Sequence, residues 1–296
     1  MNREDPRELI RKAEKKLNPG FFGKFLGSES GRIEESIELY NNAANIYKLN
    51  KEWEAAGQIF EKCGELDAKI GGQMSPNYYN EAAHCYSFVD KQKQIENLDK
   101  CITLYQNKGK FQQAGKIAMK IATDFESQLD YKEAIAKYEK AADLFSMESM
   151  NSRASMQQCQ LKVADLLCIS KDKDMFEKAP KLYETLGMQY LSVPLLKTSA
   201  KDVFFKCVVC YLAKKDEISA GIQLKKFLEE DPTMCDTRES KFLEEAIECV
   251  TDPPNPEGFK KAVADFKTYR DLDKWKINMF ATVLENIECN DDEDLK

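Results

Sequence analysis

Any acid–base chemistry in this chain has to run through one imidazole, because His84 is its only histidine. A Ser-His-Asp or Cys-His hydrolytic site would need that residue. It stands on a helical stripe with Ala82 and Ala83 and has no distinctive neighbours in sequence. It reads as a core or groove histidine. The run Gly109-Lys110-Phe111-Gln112-Gln113-Ala114-Gly115-Lys116 has the look of a phosphate loop. Five residues separate its glycines where the motif needs four, and Ile117 stands where Ser or Thr would hold magnesium. Cys207-Val208-Val209-Cys210 has no second pair to complete a zinc site and no βαβ context for redox chemistry. It reads as packing within a helix. Paired carboxylates are abundant, but no apolar pocket is evident to drive their pKa values apart. The expectation is no catalytic residue, no metal and no cofactor, and so no enzyme.

What remains is binding. The segment Asn18 to Ser28 holds Phe21, Phe22, Phe25 and Leu26 among three glycines and a proline. No regular element long enough to bury four large side chains fits there. Burying one Phe or Leu gives ~1.5–3 kcal/mol, so four give roughly 6–10 kcal/mol before ordering costs. The loop either dips into a membrane or a partner, or folds back on the first helix pair. Lysines recur along the chain at Lys110, Lys116, Lys162, Lys197 and Lys201. They either line one face for an acidic, rod-like partner or are ordinary solvated lysines. The chain closes on Asp291, Asp292, Glu293, Asp294 and Leu295, one apolar anchor flanked by charge.

The elements that must position these groups are helices. Tyr40, Ala43, Ala44 and Tyr47 share one helical face, and Tyr79, Ala82, Ala83 and Tyr86 repeat the pattern 39 residues later. Further stripes run through Phe111 to Phe125 and Tyr131 to Phe145. Second helices are expected to begin near Trp53, Lys91, Tyr131 and Phe176, a period of about forty residues. Small Ala opposite large aromatics lets helices approach closely. Gly109 marks a hairpin turn. The spacing predicts an all-α, right-handed superhelical array of TPR-like hairpins over 1–228. A closing helical bundle is expected over 229–288, with helices from about Arg238 to Val250 and from Phe259 to Asn286. An acidic, disordered tail is expected over 289–296.

Composition narrows the class. The net charge is -7 in 296 residues. Residues 229–296 hold 9 Lys+Arg against 19 Asp+Glu, leaving 35 against 32 for residues 1–228. The two ends suit partners of opposite sign, and no uniformly basic nucleic-acid footprint exists. No apolar run reaches the length of a membrane span. The charged start of the chain lacks a secretion signal, and the ten cysteines show no framework spacing. A cytoplasmic protein with reduced thiols is expected.

Taken together, these residues resemble a family, the soluble NSF attachment proteins of the alpha type and its yeast counterpart. The resemblance covers essentially the whole length. It is carried by Phe21-Phe22…Phe25-Leu26, Tyr40-x-x-Ala43-Ala44-Asn45, Trp53-x-Ala55-Ala56-Gly57 and Lys137-Tyr138-Glu139. The most specific stretch runs from Ser192-Val193-Pro194-Leu195-Leu196-Lys197 to Phe204-Phe205-Lys206, and the tail Asp291 to Lys296 also matches. The resemblance implies an adaptor that binds the SNARE four-helix bundle laterally in several copies. It also implies recruitment and stimulation of the AAA+ ATPase NSF, which disassembles the bundle. A monomer in solution, peripherally associated with membranes through Phe21, Phe22, Phe25 and Leu26, is implied as well. By the same resemblance Lys110, Lys116, Lys162, Lys201 and Arg238 face the SNARE bundle, beside Lys197. Asp216, Glu248, Asp252 and the tail from Asp291 to Leu295 face the ATPase. Two positions depart from the family's basic pattern, Phe88-Val89-Asp90 and Gln158-Cys159. The rival readings are a generic TPR-type peptide-binding scaffold and a hydrolase built on His84.

Overall fold

In the computed structural model the described residues are all but 1–3, 20–27, 149–151, 171–172, 252 and 294–296; the side chains of 173, 175 and 290–293 are also outside the description. The helices in chain order are α1 (Pro6–Leu17), α2 (Glu29–Leu49), α3 (Trp53–Lys69), α4 (Ser75–Tyr86), α5 (Lys91–Asn107), α6 (Phe111–Ser127) and α7 (Tyr131–Ser146). They continue as α8 (Arg153–Ile169), α9 (Lys173–Phe176), α10 (Ala179–Leu191), α11 (Lys197–Ala213), α12 (Glu217–Glu230), α13 (Arg238–Val250), α14 (Pro256–Lys267) and α15 (Lys274–Glu293). No strand occurs among the described residues. The fold is all-α and built from TPR-like hairpins. Two compact units form: residues 1–124 with 140–153, and residues 125–139 with 154–296.

In the first unit α1 to α5 each pack on the next. The stripes read from the sequence are the seams. Ala44, Ala56, Phe60, Ala82, Cys85 and Tyr86 form one buried cluster, and Ala13, Ile33, Ile37, Tyr40 and Cys63 another. Glycine notches set the approach. A Cβ on Gly57 would lie 2.9 Å from the Tyr86 ring, and one on Gly64 would lie 2.9 Å from the Tyr79 ring. In the second unit Gly187 of α10 leaves a Cβ only 2.3 Å from Phe204 of α11. Close packing of this kind tolerates no added methyl group without movement.

Four of the hairpin turns share one chemistry. Lys51, Gly109, Leu129 and Lys215 all take left-handed backbone, with φ of 62°, 67°, 63° and 59°. The next N–H reaches back five residues in every case: Glu52 to Tyr47 (2.9 Å), Lys110 to Tyr105 (2.8 Å), Asp130 to Phe125 (3.1 Å) and Asp216 to Tyr211 (3.0 Å). This is the six-to-one bond of a Schellman ending, and the accepting residue is aromatic each time. Helix starts are capped by Ser28, Asp90, Asp216, Thr237 and Asn255.

Ion pairs tie each repeat to the next. Lys93–Glu54, Lys100–Glu61 and Lys140–Asp99 do so in the first unit, and Lys162–Glu126, Lys206–Asp165 and Lys226–Glu184 in the second. Their sequence separations run from 36 to 42 residues, close to the repeat period. Apart from the more buried Lys206–Asp165, these are partly exposed pairs that add ~0–1 kcal/mol each, so their effect is on register more than on stability.

Several boundaries differ from the sequence reading. The helix expected near Phe176 begins at Ala179, because Pro180 sits in its first turn and cannot continue a helix from α9. The helix expected from Phe259 to Asn286 is two helices. Between them Arg270 is drawn to Asp202 and Glu239, each at 2.9 Å, while Asp273 caps α15 through the Lys276 N–H (2.8 Å). Helical backbone of α15 runs to Glu293, into the segment expected to be a disordered tail. No break falls at residue 228. Phe205 of α11 stacks on Phe266 and meets Phe242 and Phe280, so α11 shares a core with α13, α14 and α15.

Candidate partner-binding ends of the second unit

Directions within the second unit follow from its contacts. Asp202 and Glu239 share Arg270, Phe205 meets Phe242 and Phe280, and Asn286 donates to the Ala213 carbonyl (2.8 Å). Helices α11, α13 and α15 therefore run the same way, with α12 and α14 opposed. The starts of α11 and α13 lie at one end of the unit. The starts of α12 and α14 lie at the other, with the ends of α13 and α15.

The first end is cationic. Pro194–Leu196 forms a single 3-10 turn that leads into α11 and leaves Leu195 93% exposed. Lys197 is exposed, and Lys201, one turn on, donates to the Thr233 carbonyl (2.8 Å). That bond pins the turn before α13, where the Arg238 guanidinium lies 3.8 Å over the exposed Tyr269 ring. A cavity of about 370 Å³ opens beside this group, with Leu161, Tyr190, Phe205 and Phe266 among its apolar lining; its charged groups balance, Lys206, Arg270 and Lys276 against Asp202, Glu239 and Asp273. Lys162 follows Leu161 on α8, but its ammonium is held by Glu126 (2.8 Å). Burial pushes the Glu126 carboxyl up, yet the bonds from Lys162 and Tyr138 outweigh it and leave it below the usual range.

The opposite end carries Asp216, Glu248, Glu257 and Glu288, interspersed with Lys214, Lys215 and Lys260; Lys214 is held by Glu177 (2.5 Å). Asp216 caps α12, accepting the Ser219 N–H at 3.0 Å, and that bond holds its carboxyl below the ordinary value. Glu248 is exposed on the last turns of α13. Lys260 of α14 bridges Glu257 (2.9 Å) and Glu288 of α15 (3.1 Å). Ile218 and Ile222 are exposed on α12. Asp252, Asp294 and Leu295 lie outside the described residues. Asp291, Asp292 and Glu293 are described only as helical backbone.

In the first unit Lys110 and Lys116 are both exposed, Lys110 in the turn before α6 and Lys116 on it. Phe21, Phe22, Phe25 and Leu26 lie outside the described residues. Phe88 and Val89 are exposed at the α4–α5 turn, Asp90 caps α5 through the Lys93 N–H (3.0 Å), and in the second unit Gln158 is exposed. His84 is exposed and packs edge-on against Phe88 (5.4 Å) at a groove of about 280 Å³ shared with Lys91 and Lys120. The hydroxyl in that groove, on Ser87, donates to the His84 backbone carbonyl (2.7 Å). A nucleophile–base pair is not assembled there. Cys207 and Cys210 are buried in α11. Among the described residues no group of three or more His, Cys, Asp or Glu could hold a metal ion. The sequence reading assigns no contact to Leu195 or Tyr269, both exposed at the cationic end. Leu195 lies in the 3-10 turn before α11 and Tyr269 in the turn after α14, and only their exposure marks them.

Comparison with known proteins agrees with the family resemblance. Residues 4–288 match the family model described as soluble NSF attachment protein, SNAP. Beta-soluble NSF attachment protein of Bos taurus is 34% identical over 284 residues, covering 95% of this chain and 93% of that protein. Alpha-soluble NSF attachment protein of Saccharomyces cerevisiae is 32% identical over 294 residues, covering 98% of this chain and 99% of that one. Vesicular-fusion protein SEC17 of Komagataella phaffii is 32% identical, with 96% of each chain covered. Among solved structures, the TPR protein YrrB is similar at a TM-score of 0.35 and 17% identity, over 72% of this chain and 97% of that one. With the family model matched from residue 4 to residue 288, and relatives more than 30% identical along nearly their whole lengths, the chain belongs to the soluble NSF attachment protein family.

Proposed function

We propose that this chain is an adaptor, not an enzyme, that binds SNARE complexes and recruits and stimulates an NSF-type AAA+ ATPase for SNARE disassembly in vesicle fusion and intracellular membrane traffic. The observation that carries the reading is the separation of charge along α11. Lys197, Lys201 and Arg238 gather with the exposed Leu195 at its start, while Asp216, Glu248 and Glu257 lie towards its end. A cationic face speeds encounter with an acidic helical rod and fixes its register without a deep pocket. The acidic end suits a basic ATPase domain, and Asp291, Asp292, Glu293, Asp294 and Leu295 contact that domain as well. Lys110, Lys116 and Lys162 add further cationic contacts to the bundle. Phe21, Phe22, Phe25 and Leu26 contact the membrane surface, placing the adaptor peripherally on membranes. A weak membrane contact and a weak bundle contact then reinforce one another through effective concentration. The protein acts as a monomer that gathers in several copies on one bundle.

Reconstituted disassembly with purified ATPase and SNARE bundle tests the proposal. Leu295→Ala should lower ATPase stimulation and leave bundle binding at the wild-type level. Equal stimulation by the two proteins would reject the role given to the tail.

A further inference from the structure

Two sulfurs from different helices of the second unit meet in direct contact. Cys168 lies on α8 and Cys210 on α11, and their Sγ atoms are 3.4 Å apart. A disulfide bond is about 2.05 Å long, so modest rotation of the two side chains brings the sulfurs into bonding range. The Cys-x-x-Cys spacing does not supply this pair. Cys207 donates instead to the Pro180 carbonyl of α10 (3.2 Å), and the partner of Cys210 comes from another helix, 42 residues away. Access differs across the pair. Cys168 is half-buried and Cys210 is buried. Burial holds the Cys210 thiol protonated far above the usual thiol range, so the first oxidation falls on Cys168. Cys168 also lies 3.8 Å from the Tyr183 hydroxyl, which donates to Asp165 (2.6 Å), and Lys206 of α11 reaches the same carboxylate (2.6 Å). The seam between α8 and α11 is thus already fixed by polar contacts around the sulfurs.

We propose that Cys168 and Cys210 are a redox modification site, converted by an oxidant of the peroxide class into a disulfide that ties α8 to α11. The Cys168 thiolate attacks one oxygen of hydrogen peroxide. The O–O bond breaks, hydroxide leaves to take up the thiol proton as water, and Cys168 becomes a sulfenic acid. The Cys210 sulfur then attacks that sulfur, and the leaving hydroxide takes the Cys210 proton as a second water. Two thiols lose two electrons and two protons, and one peroxide becomes two waters. The bond closes a long loop between helices that each reach the cationic end of the unit. Its formation does not depend on the adaptor reading.

The test uses the full chain with the exposed Cys235 and Cys289 changed to Ser, which leaves eight of the ten cysteines. One equivalent of hydrogen peroxide per chain is added to the folded protein, followed by thiol titration in denaturant and non-reducing peptide mapping. The expected result is a fall from eight thiols to six, a single cross-linked peptide pair containing Cys168 and Cys210, and return to eight with dithiothreitol. The oxidised protein should melt at a higher temperature than the reduced one. The same variant with Cys168→Ser added should show neither the cross-link nor the rise. Eight thiols retained after treatment, a Cys207–Cys210 linkage, or Cys168 carried on to sulfinic acid with Cys210 free would each overturn the proposal.

Discussion

Asp216 illustrates how one residue can serve structure and recognition together. Its carboxylate caps α12 through the Ser219 N–H, and the same residue closes the six-to-one turn from Tyr211. Removing the side chain therefore tests two things at once. Asp216→Ala should lower stability by about 1 kcal/mol through the lost cap. Asp216→Asn keeps an oxygen for that N–H and removes only the charge. If the acidic end recognises the ATPase, the Asn variant should melt like wild type yet bind the ATPase more weakly. Unchanged ATPase binding by the Asn variant would confine Asp216 to its structural role. At this scale the sequence is legible where type alone decides, as in the run of acidic residues. It is silent where a partner lies far along the chain. Nothing local shows that Lys162 is occupied by Glu126 or that Lys201 holds the Thr233 carbonyl. Nor does the run Pro194-Leu195-Leu196 reveal which leucine faces solvent.

At the scale of elements, Ala and Gly opposite aromatic rings set how closely helices meet. Gly187→Ala places a methyl against Phe204, which is itself stacked on Phe227 at 4.0 Å. The ring cannot retreat, so chemical denaturation should show a loss of roughly 1–3 kcal/mol. A neutral result would mean that the α10–α11 seam is looser than its geometry implies. The repeats themselves were readable from Tyr40, Ala43, Ala44 and their echo at Tyr79, Ala82 and Ala83, because burial of one face imposes the helical period. The turns were half-readable. Gly109 announces its left-handed backbone, whereas Lys51, Leu129 and Lys215 adopt it with ordinary side chains. The division of α14 from α15 was hidden for a related reason. No proline or glycine marks it, and it is made by Arg270 reaching two carboxylates on other helices.

For the whole molecule, burial makes alkaline pH the weak side of stability. Burial raises the thiols of Cys63 and Cys101 to about 12 and those of Cys85 and Cys159 to about 11, and the Tyr40 and Tyr79 hydroxyls to about 12. These groups stay protonated when folded and ionise near 9 to 10 when unfolded. The folded state therefore binds more protons across that window, and stability must fall as pH rises. Urea midpoints should hold from pH 7 to about 8.5 and drop steadily from about pH 9 to 11. A flat profile to pH 11 would contradict the burial of these groups. The charge balance also acts at this scale. The excess of 19 acidic over 9 basic residues in 229–296 includes the acidic end of the second unit, while the basic cluster draws on Lys197 and Lys201 from before that stretch and Arg238 within it. Composition alone thus indicated partners of opposite sign, but not that one helical unit would present both.

The most direct test of the adaptor account separates those two ends in one binding experiment. Lys197→Glu, Lys201→Glu and Arg238→Glu are combined, folding is checked by thermal melting, and affinities for the SNARE bundle and for the ATPase are measured at low and high salt. The account predicts at least about a tenfold loss of bundle affinity at low salt, a shallower salt dependence and wild-type binding to the ATPase. A folded triple variant that binds the bundle as wild type does, or that loses the ATPase along with the bundle, would contradict it.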